Sequence, residues 1–199
     1  GKSNMTDYLT MEFNGLTIPM AKNYSDGYLG GKYPYGVVAY DVKDVLKVTS
    51  NNTAKLTIGA GGSAGMDGML LVVVYENPET ELERIIWINE GCDNLKASTT
   101  GASYNYQVSA EEATAYAPFE GCEPIPMDKI GKAKLITITD YPAGWDEPFN
   151  RLYFNGELVA DRAWSTTMGA SPLGDNVADV TALLNETNNY ANFQSYIPE

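Results

Sequence analysis

The residue types that carry most enzyme chemistry are sparse in this chain. It contains no histidine, so the usual Ser-His-Asp and Cys-His catalytic arrangements cannot be built. Glu111–Glu112 and Asp146–Glu147 are pairs of neighbours, whose side chains would point to opposite faces of a strand rather than flank one substrate. The glycine-rich stretch 59–65 is not followed by the Lys-Ser/Thr of a phosphate-binding loop. We therefore expect no enzymatic activity and no organic cofactor.

The two cysteines, Cys92 and Cys122, are the next candidates for chemistry. An even number in a chain of exported character predicts one disulfide, which would stabilise the fold by roughly 3–4 kcal/mol by restricting the unfolded chain. The alternative is a pair of free buried thiols. Neither cysteine belongs to a CxxC motif, so a zinc or dithiol redox site is not indicated.

The charge balance limits the partners. The chain has 26 acidic and 13 basic residues, for a formal net charge of −13. Such a surface repels phosphate backbones, so nucleic acid and anionic membrane are not expected partners. Calcium suits the charge better, although solubility alone also accounts for it. No apolar stretch reaches the ~18 residues of a transmembrane helix, so membrane insertion is not expected.

Asparagine sequons and aromatic rings are the candidate surface features. Four Asn-x-Ser/Thr sequons favour a glycosylated extracellular protein, and their acceptors are Asn4, Asn23, Asn51 and Asn185. The rings that could stack on sugars or line a subunit interface are Tyr28, Tyr33, Tyr35, Trp145 and Trp164. The same rings could instead anchor long loops to the fold.

The elements that must position these side chains are β-strands. Asn14-Gly15 lies between two apolar runs, which is the strongest short signal for a β-hairpin. Alternating patterns predict strands at 54–58 and 134–139. The continuous run Met69–Tyr75 predicts a strand buried on both faces, and Ile85–Ile88 predicts another strand.

The second half of the chain restates the first. Phe13-Asn14-Gly15 returns as Phe154-Asn155-Gly156, residues 39–46 return as 177–184, and residues 51–56 return as 188–193. Three matches in the same order predict an internal duplication. Each copy contains a hairpin, a long loop, a strand that enters an Asp-Val turn, an Asn-Asn turn and a return strand.

Asp41 and Asp179 occupy the same position in the two copies. Each carboxylate is expected to accept hydrogen bonds from nearby backbone N–H groups and so fix its turn. Calcium ligation is the alternative, but neither position has the dense spacing of oxygen ligands that marks a calcium loop.

We therefore predict an all-β fold of two related, jelly-roll-like β-sandwich units. The first covers residues 1–127 with the cysteine loop, and the second, shorter unit covers 128–199. Met69–Tyr75 follows the first copy and Lys134–Thr139 precedes the second, and neither strand has a counterpart in the other copy. Each unit would then lack a strand that the other unit or a neighbouring molecule supplies, because an open sheet edge is a template for pairing.

Several of these segments resemble a known family. Gly68–Glu76, Ile86–Gly91, Leu152–Gly156 and Asp179–Leu184 resemble a domain of unknown function found in surface-layer or sheath-type proteins of methanogenic archaea. The resemblance runs from about Phe13 to Phe193. It implies an exported, β-rich protein of the cell envelope, and it brings no catalytic residues that could be transferred.

The expected function is that of a structural subunit at the cell surface. Such a subunit would self-assemble into a homo-oligomer or polymer through β-edge and loop contacts, with glycans or other envelope proteins as further partners. A carbohydrate-binding or adhesive surface module is the alternative, because exposed aromatic rings could stack on sugars.

Overall fold

The computed structural model describes residues 8–26, 35–59, 65–80, 82–99, 107–140, 149–164 and 173–198. This part of the chain is all-β, as predicted, and its only helical elements are short 3-10 turns, which include Lys43–Val45 and Thr181–Leu183. The strands are β1 (Leu9–Phe13), β2 (Leu16–Ile18), β3 (Lys22–Asp26), β4 (Tyr35–Ala39), β5 (Ala54–Ile58), β6 (Thr114–Phe119), β7 (Lys134–Asp140), β8 (Asn150–Phe154), β9 (Glu157–Asp161), β10 (Leu173–Asp179) and β11 (Asn189–Ser195).

The chain divides into two compact units. Unit 1 consists of Gly1–Met66 with Gly91–Asn94, and unit 2 consists of Asp67–Glu90 with Leu95–Glu199. A boundary at residue 127 would therefore fall inside unit 2. Strand β6, which precedes that position, pairs along its length with β11 near the end of the chain and belongs to the same body.

Unit 1 contains two antiparallel sheets, with strand orders β2-β1-β5 and β3-β4. The β1–β2 hairpin turns at Asn14 and Gly15, whose φ angles are 51° and 81°. Two successive positive φ values are the geometry of a hairpin turn that suits Asn-Gly. The hairpin buries Phe13 and Ile18, which are 3% and 8% exposed.

Unit 2 contains a four-stranded antiparallel sheet, β6-β11-β8-β9, and a two-stranded sheet, β10-β7. One core cluster draws on both sheets, with Leu135 from β7 and Leu152 from β8. Trp164 belongs to this cluster and is 2% exposed; its ring stacks on Phe193 at 5.2 Å. The indole N–H donates to Thr137 Oγ1 at 2.9 Å, so the polar atom of this large side chain is satisfied inside the core.

The predicted strands divide into two groups. The opening hairpin and the strands at 54–58 and 134–139 are confirmed. The strands predicted at Met69–Tyr75 and Ile85–Ile88 are wrong, because both segments lack regular secondary structure. A strand needs a neighbour for its backbone N–H and C=O groups, and no described strand pairs with either segment.

Candidate assembly surface

The first turn segment comprises the Asn14-Gly15 hairpin turn, the 3-10 turn Lys43–Val45 and residues 47–53. It is held by the side chain of Asn14. Its Nδ2 donates to the carbonyl oxygen of Val45 at 2.9 Å and to Oδ1 of Asn52 at 2.8 Å. Its Oδ1 accepts from the backbone N–H of Thr53 at 3.0 Å. Asn52 in turn accepts from the Lys47 N–H and donates to the Lys47 carbonyl, both at 2.8 Å. Two asparagines thus tie a hairpin, a 3-10 turn and the start of β5 together.

The second turn segment comprises the Asn155-Gly156 hairpin turn, the 3-10 turn Thr181–Leu183 and residues 185–190, and it repeats this network. Asn155 Nδ2 donates to the Leu183 carbonyl at 2.7 Å and to Asn189 Oδ1 at 2.8 Å, while its Oδ1 accepts from the Tyr190 N–H at 2.9 Å. Asn189 accepts from the Asn185 N–H and donates to the Asn185 carbonyl, both at 2.8 Å. Every bond has its counterpart in the first segment, at the spacings that the sequence matches predict.

The paired aspartates fix the 3-10 turns, as predicted. Asp41 Oδ1 accepts from the Lys43 N–H at 3.0 Å, and Asp179 Oδ1 accepts from the Thr181 N–H at 3.1 Å. Asp179 also accepts from the Thr181 hydroxyl at 2.6 Å and pairs with Lys132 at 3.6 Å. The Thr181 hydroxyl is the main cause that lowers the pKa of the Asp179 carboxyl, helped by the Thr181 N–H and by Lys132.

The two segments differ in the strands that pair with β5 and β11, the strand that follows the turns in each unit. β5 pairs with β1, and β11 pairs with β8, in the same register: Phe13 faces Ala54 and Phe154 faces Ala191. The second edge of β11 is covered by β6, with Ala191 opposite Ala117. Among the described strands, β5 has no partner on that second edge. Within the described strands, unit 1 therefore has an open strand edge at the position where β6 covers unit 2.

A second unpaired feature is the apolar segment, Met69–Tyr75. All seven of its side chains are exposed, from 44% at Met69 to 78% at Tyr75. Neighbouring side chains of an extended chain point to opposite sides, so a segment exposed at every position has neither face fully covered. The segment contains no charge, proline or glycine and is rich in leucine and valine, which is the composition of a pairing-prone strand.

Residues on both sides of the apolar segment, from Gly68 to Asn89, contact other parts of unit 2. The backbone at Gly68 lies so close to the Leu173 side chain that a Cβ atom would overlap it. At the far end, Asn89 Nδ2 donates to the Pro118 carbonyl at 2.6 Å, and the Trp87 ring meets Phe119 edge-on at 6.3 Å. Trp87 Nε1 is buried and has no hydrogen-bond acceptor in the described part of the molecule.

The structure does not contain the predicted disulfide. Cys92 and Cys122 are not joined to each other, and the first is half-buried whereas the second is exposed. Cys92 belongs to the Gly91–Asn94 part of unit 1, whereas Cys122 belongs to unit 2, so the residues predicted to close one loop lie in different bodies.

The candidate glycosylation sites and aromatic rings differ in their exposure to solvent. Asn23 on β3, Asn51 and Asn185 are exposed, as a glycan acceptor must be, and Asn4 lies outside the described residues. Tyr35 on β4 is 47% exposed. Trp164 is a core residue, so the expectation of a surface ring at this position is corrected. Tyr28, Tyr33 and Trp145 lie outside the described residues.

The carboxylate pairs considered for hydrolysis have structural surroundings where they are described. Glu112 accepts from the Ser109 N–H at 3.0 Å, and its own N–H donates to the Ser109 hydroxyl at 3.2 Å. This reciprocal pair is a capping box that closes the turn before β6. Asp146 and Glu147 lie outside the described residues.

The described residues offer neither a metal-binding cluster nor a membrane-spanning helix. They contain no group of three or more Asp, Glu, Cys or His side chains arranged to hold a metal ion. They also contain no helix that is long and apolar enough to cross a membrane.

Comparison with known proteins places the chain in a family. No curated protein and no solved structure matches it. A family model with the description "Protein of unknown function (DUF3344)" matches residues 1–198, which is nearly the whole chain. The chain therefore belongs to the DUF3344 family of proteins of unknown function.

Proposed function

We propose that the protein is a structural subunit of an extracellular cell-envelope layer or sheath, and that it self-assembles through β-edge and loop contacts. The observation that carries the proposal is the apolar segment, seven consecutive uncharged side chains that are all exposed. Exposed apolar patches of this kind mark surfaces that bind other proteins.

The free energy available on covering the segment is sufficient for association. Complete burial of a large aliphatic side chain contributes roughly 1.5–3 kcal/mol. Six of the seven residues are between 44% and 59% exposed, so full burial of each contributes on the order of 1 kcal/mol, and Tyr75, at 78%, has more area to bury. Together with new backbone hydrogen bonds, this gain can offset the ordering cost of bringing two copies together.

The acidic surface opposes association and gives it a salt dependence. Two copies that each carry a formal charge of −13 repel one another, and the repulsion falls as ionic strength rises. We expect assembly to be promoted by salt and by calcium, with no requirement for a dedicated calcium site. The location is part of the proposal: the sequons exposed at Asn23, Asn51 and Asn185 and the resemblance to archaeal envelope proteins support an exterior setting.

The repeated turn networks support the further proposal that the chain arose by internal duplication into two β-sandwich units. In unit 2, side chains from two sheets share one core, which is the arrangement of a sandwich. Unit 1 carries the same hairpin, turn and return strand with fewer covering elements. A glycan-binding role retains Tyr35 as its single exposed ring among the described candidates, and for this reason we do not favour it.

Sedimentation velocity and negative-stain electron microscopy of the purified chain, across concentration and with calcium and then chelator, test the proposed function. We expect filaments, sheets or tubes that grow with concentration. Val73→Asp places a charge in the middle of the apolar segment and should abolish assembly. Val177→Asp is the matched control, because Val177 is an exposed valine, 57% accessible, on β10, outside both the apolar segment and β5. A chain that stays monomeric under every condition would refute the proposed function.

A further inference from the structure

We propose that the apolar segment of one copy adds as a strand to the open edge of β5 in a second copy. This inference rests on the proposed self-assembly and names the two surfaces that meet. It identifies the partner as another molecule of the same chain, bound by strand addition.

Unit 2 provides the internal template for this contact. β11 is paired on one side with β8 and on the other with β6, which runs antiparallel with Ala191 opposite Ala117 and Phe193 opposite Ala115. The matching residues of β5 are Ala54 and Leu56, and β5 pairs with β1 in the register that β11 uses with β8. The arrangement that covers β11 therefore shows what the open edge of β5 can accept: an antiparallel strand of about six residues.

The apolar segment meets the requirements of that strand. It has seven residues, against six in β6, and none of them is a proline that would lack an N–H donor. Its side chains are exposed on both faces, so it can place one row on the under-covered side of unit 1. There, Ala54 is exposed and Ile58 is 38% exposed, whereas Ala191 at the position of Ala54 is 1% exposed.

Charge complementarity favours a second copy as the occupant. Residues 67–90, which contain the apolar segment, hold six acidic residues and one basic residue, for a net charge of −5. Residues 35–59, which contain β5, hold three basic residues and two acidic ones, for a net charge of +1 in a chain of −13. Lys55, on β5 itself, is 71% exposed at its side chain while it pairs with Glu12 at 3.1 Å. The acidic donor region is thus drawn to a region of its neighbour that carries a small positive charge.

The two surfaces differ, so the contact is head-to-tail. The apolar segment groups with unit 2 and β5 with unit 1, so in this contact one copy is the donor and its neighbour the acceptor. Contacts of this kind generate rings or open filaments rather than closed twofold dimers.

Cysteine cross-linking between different full-length copies tests the pairing. In a background of Cys92→Ser and Cys122→Ser, one preparation carries Thr57→Cys on β5 and the other carries Val72→Cys or Val73→Cys in the apolar segment. The two are mixed under mild oxidation and resolved by non-reducing electrophoresis and peptide mapping. We expect a Thr57–segment heterodimer. Gln194→Cys replaces Thr57→Cys as the control, because Gln194 holds the same position on β11, whose edge is already occupied by β6, and its heterodimer should be lost.

The remaining outcomes overturn the inference in recognisable ways. A segment-to-segment homodimer would show that two apolar segments pair with each other. A chain that carries both Thr57→Cys and Val73→Cys and closes only an internal disulfide would show that the segment covers its own β5. Filaments seen in the same samples without the heterodimer would refute this pairing while the proposed function stands. Absence of any assembly would refute both.

Discussion

The two turn segments share their hydrogen bonds and differ in their burial. Asn14 and Asn155 have the same φ of 51° and bind equivalent partners in their own segments. Yet Asn189 is 3% exposed and its counterpart Asn52 is only half-buried. Leu152 is completely buried, whereas Met11, at the same place on β1, is half-buried.

The difference separates hydrogen bonds, which form within each turn segment, from burial, which depends on neighbouring strands. An Asn-Gly hairpin and an Asn-Asn turn carry their own donors and acceptors, so both segments close their networks without help. Burial instead needs further strands. In unit 2, β6 covers β11, and β7 contributes Leu135 to the core that holds Leu152. In the described part of the chain, identical local chemistry therefore gives a packed core in unit 2 and an open strand edge in unit 1.

The largest contrast is expected from core truncation. Leu152→Ala should lower the free energy of unfolding by roughly 2–5 kcal/mol, because it leaves a cavity among fully packed side chains. Met11→Ala should cost only about 1 kcal/mol, since its side chain is already partly in water. Urea denaturation of both variants, with hydrogen exchange to assign the loss to each unit, makes the measurement. Equal losses would mean that β1 is as well packed as β8.

A smaller contrast is expected from the asparagines behind the turns. Asn189 is 3% exposed, and Asn189→Ala removes the oxygen that accepts from the Asn155 amide and the Asn185 N–H, which should cost about 3 kcal/mol. Asn52→Ala removes the equivalent bonds from Asn14 and Lys47, but water can replace them, so we expect about 1 kcal/mol. The same unfolding measurements compare the two. If Asn52→Ala proved as costly as Asn189→Ala, the first network would have to be shielded from solvent.

Sequence patterns gave the all-β class, the hairpins and the turn aspartates, because those depend on residues that lie close together in the chain. The ordered matches predicted that Asn14 and Asn155, like Asn52 and Asn189, are equivalent positions, but they did not predict the hydrogen bonds that join the asparagines within each copy. The exposed and unpaired state of Met69–Tyr75 could not be derived in this way. Its apolar run predicts a preference for burial, but whether a neighbouring strand exists depends on the rest of the fold.

The same limit applies to the residues expected at the surface. Trp164 is an amphipathic residue in a loop-like stretch, and it becomes a core residue through partners from distant strands, among them Thr137 of β7 and Phe193 of β11. Cys92 and Cys122 satisfied the even count of a disulfide, but spacing along the chain carries no information about the body to which each belongs.

The smallest contrast is electrostatic and lies in the two turn aspartates. The pKa of Asp179 is lowered by the Thr181 hydroxyl, the Thr181 N–H and Lys132, so its charged form is favoured in the folded state. That contribution is present above the ordinary pKa of an aspartate, about 3.9, and is lost as the pH falls through the lower folded value. Asp179→Asn should therefore reduce stability at neutral pH and make no difference in strong acid.

Asp41→Asn is the control, since position 43 offers Asp41 a backbone N–H but no hydroxyl, and its effect should be smaller. Urea midpoints of both variants and the parent from neutral pH to strong acid decide the matter, and a loss at Asp179 that persists in acid would trace to shape rather than to charge.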